Sequence, residues 1–461
     1  MNSDIIFQKI ADFGNTILFF DVFFWTDKIK MPFLIFWLLF ASFYFSFITN
    51  FINIRKLPKA IVMFFKEKKT INKKENTVSS KSIVLSAIAG ASDIGSIAGL
   101  AGVISIYGAG VIFWIIVAGF LSTSIRYAEV LCGHKFRKKA FKNGKPDGYN
   151  GGPQVYIQKI FSLYKLKKTG KIVVKIYAIM LCLSTFASLQ LNQSVQILTH
   201  TFPTLQNYKP IIALLIASIV ISATIKGITG VAKFNQLIVP IMIIIYIIST
   251  IIILLYHHNN FSLAIKMIFE DAFTFRSING SIIASIIVGV QRAFFCNESG
   301  MGSGAIIHSN SSNKDSKKEA IISMITPIIS VVIICICSGM IVLVSGSYLT
   351  GSNGTDNIIK AFSSVHPYMK YITLIIVPMF GITTAVSWAY YGSKQFSSLF
   401  GKKLVAIYYA ILFIAYFLCG IAEDFNTILD VADFLNLSIT IPNIIALIMM
   451  SKVIIKESKR T

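Results

Sequence analysis

The sequence predicts an all-α membrane protein of about eleven transmembrane helices, arranged as two five-helix halves behind one extra N-terminal helix. Three observations predict it. Of 461 residues, 55% are hydrophobic and 14% charged, where soluble domains carry about 25% charged residues. Apolar runs long enough to cross a bilayer recur along the whole chain. Two of those runs are interrupted by glycines and an acid. Mean hydropathy of +0.70 excludes a soluble globular enzyme and a disordered chain. The six cysteines lie in or beside apolar stretches without zinc-type spacing to histidine, so they read as small buried hydrophobes and not as a disulfide framework.

The elements follow in order. Residues 1–31 form an N-terminal segment in which Lys9, Asp21 and Asp27 stand among phenylalanines, as in an interfacial helix. Residues 32–52 make the extra N-terminal helix, and 53–81 a basic loop. Spans at 82–106, 110–133, 172–200, 210–227 and 235–256 make the first five-helix half, 82–256. Spans at 281–308, 320–346, 369–393, 403–420 and 436–453 make the second, 281–453, and 454–461 is a tail. No basic segment with a small-residue cleavage site precedes the first span, so no cleaved signal peptide is expected.

Charge sets the orientation. Loops and span ends that alternate to one side hold 33 Lys and Arg, those on the other hold 8, and Arg126 and Arg292 fall deep inside spans. The positive-inside rule then places the C-terminus in the cytoplasm and the N-terminus outside, in a bacterial inner membrane. The acidic loop 421–434, with Glu423, Asp424, Asp430 and Asp433, agrees. The net charge of +23 is therefore a topology signal, and no nucleic-acid partner is expected.

The interrupted spans carry the functional signal. The second span reads Gly90-Ala91-Ser92-Asp93-Ile94-Gly95-Ser96-Ile97-Ala98-Gly99, and the seventh Cys296-Asn297-Glu298-Ser299-Gly300-Met301-Gly302-Ser303-Gly304. Backbone that leaves the helix at membrane depth must be buried in protein or line a wet cavity. Close helix packing through small residues explains the glycines. It does not explain Asp93 and Glu298, because a mid-bilayer charge costs about 2.5–3.5 kcal/mol even on insertion scales. The two spans open consecutive sets of five, and broken helices at equivalent places in two halves point to a secondary transporter.

At these residues the chain resembles the alanine/glycine:cation symporters, the sodium:alanine symporter family. The blocks are Gly95-Ser96-Ile97-Ala98-Gly99-Leu100-Ala101, Gly108 to Trp114, Tyr127-Ala128-Glu129, Gly151-Gly152-Pro153, Arg292 to Ser303, and Thr383-Thr384 followed by Trp388 to Gly392. They run in order from about residue 86 to 400. The resemblance implies a five-plus-five inverted repeat of the leucine-transporter type. Three positions depart from the family pattern: Asp93 stands for Gly, Ser96 for Asn and Ser393 for Glu.

A zwitterionic substrate needs both charges met. Its carboxylate suits free N–H groups from Gly95, Ser96, Ile97, Ala98 and Gly99 at a half-helix N-terminus. Its ammonium suits unwound carbonyls from Phe294 to Asn297, with Phe295 and Trp388 capping the pocket. Gln193 matches a family glutamine and is expected to bond the ligand. Carbonyls of Ala91 to Ile94, Asp93 among them, with the hydroxyls of Thr383 and Thr384, resemble the sodium site of this fold; back-bonding to the preceding turn is the plain alternative for the threonines. Asp93 has three readings: an ionised group on the cation or the amine, a proton carrier, or a helix cap. Arg292 and Glu298 are candidates for an ion pair or an intracellular gate, while Arg126 and Glu129, at i and i+3, form a structural pair.

No phosphate-cradling loop, metalloprotease helix or nucleophile elbow is present, so the chain is not read as an enzyme. The expectation is a symporter carrying a small neutral amino acid, alanine or glycine, into the cell with sodium by alternating access. The bilayer is its surroundings, and no cofactor or obligate protein partner is expected. The rival readings are a proton-coupled carrier or exchanger on the same fold, an ion channel, and a non-transporting amino-acid sensor.

Overall fold

A computed structural model describes residues 20–24, 31–72, 74–142, 145–273, 282–350, 354–422, 432 and 434–459. The expected interfacial segment and the acidic loop lie largely outside these residues. Seven helices among them are long and apolar enough to cross a membrane, or nine when each bent pair is one span. Every one of the eleven expected spans has a helical counterpart. Among these helices, Phe33–Ile48, Lys209–Thr224 and Ile282–Asn297 are only 16 residues long.

In chain order the helices are α1 (Phe33–Ile48), α2 (Ser80–Ala91), α3 (Ala98–Tyr107), α4 (Gly110–Lys135), α5 (Lys167–Ser184), α6 (Leu189–Thr201), α7 (Lys209–Thr224) and α8 (Ile228–Tyr256). There follow α9 (Ile282–Asn297), α10 (Ser303–His308), α11 (Ser316–Ser345, continuous through a π-helical turn), α12 (Lys370–Phe400), α13 (Val405–Ile421), α14 (Thr440–Met449) and α15 (Ser451–Lys459). The connections add features the periodicity did not announce. A β-hairpin pairs Lys138–Lys142 with Lys145–Asn150, and a surface helix covers His258–Phe273.

Local chemistry starts and breaks the elements. The Ser79 hydroxyl caps α2 by accepting from the Ser82 N–H. Helices α2 and α3 belong to one span, bent by 68°. The seventh span breaks at Glu298–Gly302, where Glu298, Gly300 and Gly302 all take positive φ; glycine adopts that backbone without strain. A third interruption was not expected. The span predicted as continuous over 172–200 is open between α5 and α6, and at this opening Ser184 and Thr185 turn their hydroxyls back onto the Leu181 and Cys182 carbonyls.

Helices α4, α11 and α12 are mostly buried, whereas α7, α8 and α13 present isoleucine and leucine outward, as lipid-facing helices do. Helix α9 packs closely on α4: a Cβ at Gly289 would stand 2.7 Å from Trp114 Cβ. Helix α1 packs on α4 from outside the two halves. The core so formed brings both broken spans and α12 together.

Candidate functional site

The break in the first span leaves two sets of unpaired backbone groups. On the α2 side these are carbonyls, and α12 takes three of them. The Thr384 hydroxyl lies 2.8 Å from the Ala89 carbonyl oxygen and 3.1 Å from that of Ser92, while the Trp388 indole N–H donates to the Gly90 carbonyl at 3.3 Å. Ala89 and Ser92 are three residues apart, so one hydroxyl reaches both. A hydroxyl donates one proton at a time, and the spare acceptor capacity of these oxygens makes a nest for a hard cation. Thr384 is fully buried. Thr383 instead turns its hydroxyl to the Met379 and Phe380 carbonyls of its own helix at 2.8 and 3.1 Å and to the Met242 sulfur of α8 at 3.7 Å. Of the other expected ion ligands, Ile94 has its carbonyl engaged by the Ile97 N–H, and Ala91 is not one of the carbonyls that Thr384 reaches.

On the α3 side the free groups are donors. The N–H groups of Ala98, Gly99 and Leu100 donate to no carbonyl among the described residues. Between the two sets, Asp93 is extended (φ −89°, ψ 174°) and caps the short 3-10 turn Ile94–Ser96. Its Oδ1 accepts from the Ser96 N–H at 3.0 Å and the Ser96 hydroxyl at 3.1 Å. The cap is therefore present in the geometry.

Beside this break lies a cavity of about 90 Å³ lined by Asp93, Ile94, Gly95, Gly99, Leu189, Gln190, Gln193, Arg292 and Phe295. It collects residues from the first broken span, from the start of α6 and from α9. The Gln193 side chain makes no hydrogen bond to protein among the described residues. Phe295 also lines a smaller cavity with Trp388 and the interruption between α5 and α6. Leu189, Gln190 and Phe295 thus line both cavities.

The remaining predicted substrate residues are not on the cavity wall. Ser96 is buried against Asp93. Ile97 and Ala98 are buried, and the Ala98 carbonyl is packed against Gly354. The carbonyl of Phe294 accepts the Glu298 N–H at 3.2 Å. Asn297 is committed to protein on every side: its carbonyl accepts from Arg126, its amide donates to the Ser122 hydroxyl at 2.7 Å, and its Oδ1 accepts the Ser299 N–H at 2.6 Å. Leu189 and Gln190 are wall residues that sequence reasoning missed. Their signal was the spacing Gln190–Gln193, i and i+3 on one helix face, once the helix is known to begin at Leu189.

Arg126 and Glu129 serve the second break. Their side chains approach to 3.8 Å, and Glu129 Oε1 accepts from the Gly300 N–H, the Gly302 N–H and the Asn443 amide at 2.9, 2.9 and 2.8 Å. Glu298 does not pair with Arg292 as one reading of the sequence had it. The positive φ at Glu298 turns its carboxylate to Ser303, whose hydroxyl donates at 2.6 Å. Below the breaks, Glu319 joins His308 at 2.6 Å and accepts the Ser80 and Ser311 hydroxyls at 2.6 and 2.8 Å. No group of three or more His, Cys, Asp or Glu side chains suited to a metal occurs among the described residues.

The model of the sodium:alanine symporter family matches residues 15–460. The sodium/alanine symporter AgcS of Methanococcus maripaludis is 28% identical over 436 residues, covering 93% of this chain and 94% of that one. The probable sodium/glutamine symporter GlnT of Bacillus subtilis is 24% identical over 439 residues, covering 94% and 88%. Among solved structures, MhsT in complex with L-phenylalanine superposes with a TM-score of 0.59 at 16% identity, over 80% of this chain and 88% of that one. That likeness places the chain in the leucine-transporter-type fold.

Proposed function

This chain belongs to the sodium:alanine symporter family, and from that premise we propose that it carries a small neutral amino acid of the alanine or glycine class into the cell together with sodium. It is a multi-pass membrane transporter and not an enzyme. The observation that carries the proposal is the Thr384 hydroxyl gathering the Ala89 and Ser92 carbonyls at the break, on the flank of the cavity. Sodium binds there first, with Thr383 turning in from the Met379 carbonyl, and holds α2 against α12. The amino acid then sets its carboxylate on the free N–H groups of Ala98, Gly99 and Leu100 at the start of α3, where the half-helix carries roughly +0.5 charge. Gln193 bonds it from α6, and Phe295 closes over it. Rocking of one half against the other opens the site to the cytoplasm, with the C-terminus on that side of a bacterial inner membrane and the N-terminus outside. The name of AgcS, an alanine carrier, supports the substrate class.

The test is uptake of labelled alanine into proteoliposomes under an inward sodium gradient, against an equal potassium gradient, at two pH values. Sodium-driven accumulation is the expected result. Accumulation driven by pH without sodium overturns sodium coupling, and no accumulation under either gradient overturns the substrate class.

A further inference from the structure

Two charged side chains line the central cavity, Asp93 and Arg292. They stand at opposite ends of one stretch of the first broken span. The Asp93 carboxylate is folded over Gly95: both its oxygens lie 3.1 Å from where a Cβ of Gly95 would be. Arg292 reaches across from α9 to the first turn of α3, with Nη1 3.6 Å from where Gly99 would carry its Cβ. Gly95 and Gly99 are four residues apart, across the end of the 3-10 turn and the start of α3, a rise of roughly 6–8 Å. The Arg292 side chain makes no hydrogen bond or ion pair within 4 Å among the described residues; the Asp93 carboxylate accepts from Ser96 through Oδ1, meets the Cys296 thiol and feels the Arg292 charge across the cavity. The cavity thus has an anionic end and a cationic end, and the cationic end coincides with the free N–H groups of Gly99 and its neighbours.

We propose that Asp93 and Arg292 form a charge clamp for an α-amino acid, Asp93 receiving the ammonium and Arg292 reinforcing the carboxylate. The inference rests on the amino-acid reading above and deepens it. In a low-dielectric cavity both charges of a zwitterion require partners. The Asp93 carboxylate supplies one where the family pattern has a glycine. The substrate class is then a compact zwitterion with ammonium and carboxylate on the same carbon. A ligand lacking either charge leaves one end of the clamp unpaired, and a second carboxylate on the side chain meets Asp93 in repulsion.

The experiment measures equilibrium binding of labelled L-alanine to the purified full chain in sodium, with D93N, R292Q and R292K. Asparagine keeps the oxygen that caps Ser96 and removes only the charge. D93N is expected to weaken alanine binding roughly ten- to hundredfold, the worth of a charge-assisted hydrogen bond, with the half-saturating sodium concentration unchanged when alanine is held at the same multiple of its Kd. R292Q is expected to weaken binding similarly, with partial recovery in R292K. In the unaltered protein, L-alaninamide (no carboxylate) and propionate (no ammonium) are expected not to displace alanine; this readout stands even if a variant fails to fold. Wild-type alanine affinity in D93N, or effective competition by propionate, overturns the clamp and leaves the transport reading intact. A changed sodium requirement in D93N, with alanine affinity kept, assigns Asp93 to the ion and also overturns it. Absence of any amino-acid binding by the unaltered protein overturns both readings.

Discussion

Replacing Thr384 by valine removes one oxygen from the first break and little else. Valine matches threonine in shape, so the contact of α12 with α2 is kept while the hydroxyl that spans the Ala89 and Ser92 carbonyls, at 2.8 and 3.1 Å, is lost. Two consequences follow. Without sodium, one donor is missing for two buried carbonyls, a cost of about 1–3 kcal/mol that a water can partly offset. With sodium, the ion loses one oxygen ligand. Taking that ligand as equivalent to a hydrogen bond to a charged group, about 1.5–3 kcal/mol is lost, which is roughly ten- to hundredfold in sodium affinity. The assay is a sodium titration of alanine binding in Thr384→Val, with Thr384→Ser as the control that keeps the oxygen. Because linkage is reciprocal, alanine affinity at fixed subsaturating sodium falls in the valine variant as well. An unchanged sodium midpoint in Thr384→Val would refute the assignment of this oxygen cluster to the ion, and an equal defect in Thr384→Ser would show that packing and not the hydroxyl matters.

Three further outcomes are expected. Glu129→Ala leaves the Gly300 and Gly302 N–H groups, the Asn443 amide and Arg126 without their carboxylate; loss of about 3–5 kcal/mol should appear as a large drop in melting temperature in detergent, smaller for Glu129→Gln. Gly289→Val drives a side chain into Trp114, whose Cβ is 2.7 Å from the first added carbon, and should cost about 1–3 kcal/mol by the same measurement. On the hairpin, burial pushes the Asp147 carboxyl up, but hydrogen bonds from Lys402 and Asn76 at 2.8 and 2.9 Å outweigh it and hold it below its ordinary 3.8. A depressed folded-state value means this stabilisation is complete above the ordinary value and is lost as pH falls through the lower one. Melting temperature followed against pH should therefore decline on the acid side, and Asp147→Asn should flatten that part of the decline.

Composition and run length made the membrane class legible, because lipid accepts only long apolar helices whose backbone bonds close internally. The glycine-and-acid interruptions at Gly90–Gly99 and Cys296–Gly304 were legible for the same reason: a buried acid at mid-span has no cheap structural role. Those local signals reached as far as the break, its polarity and the candidacy of Thr384, Gln193 and Phe295. They did not reach the partners. Within the expected Ala91–Ile94 stretch it is Ser92, joined from outside it by Ala89, that faces Thr384, because helical phase and the approach of α12 select one carbonyl pair. Asn297 is turned from the cavity by Arg126 and Ser122, which lie over 170 residues earlier. The interruption before Leu189, which brings Gln190 to the wall, is a break inside an apolar run, and apolar periodicity does not register it. Each local property is set by a residue and its near neighbours in the chain. The identity of a cavity wall is set by which faces of distant helices meet, and that is an outcome of packing the whole chain at once.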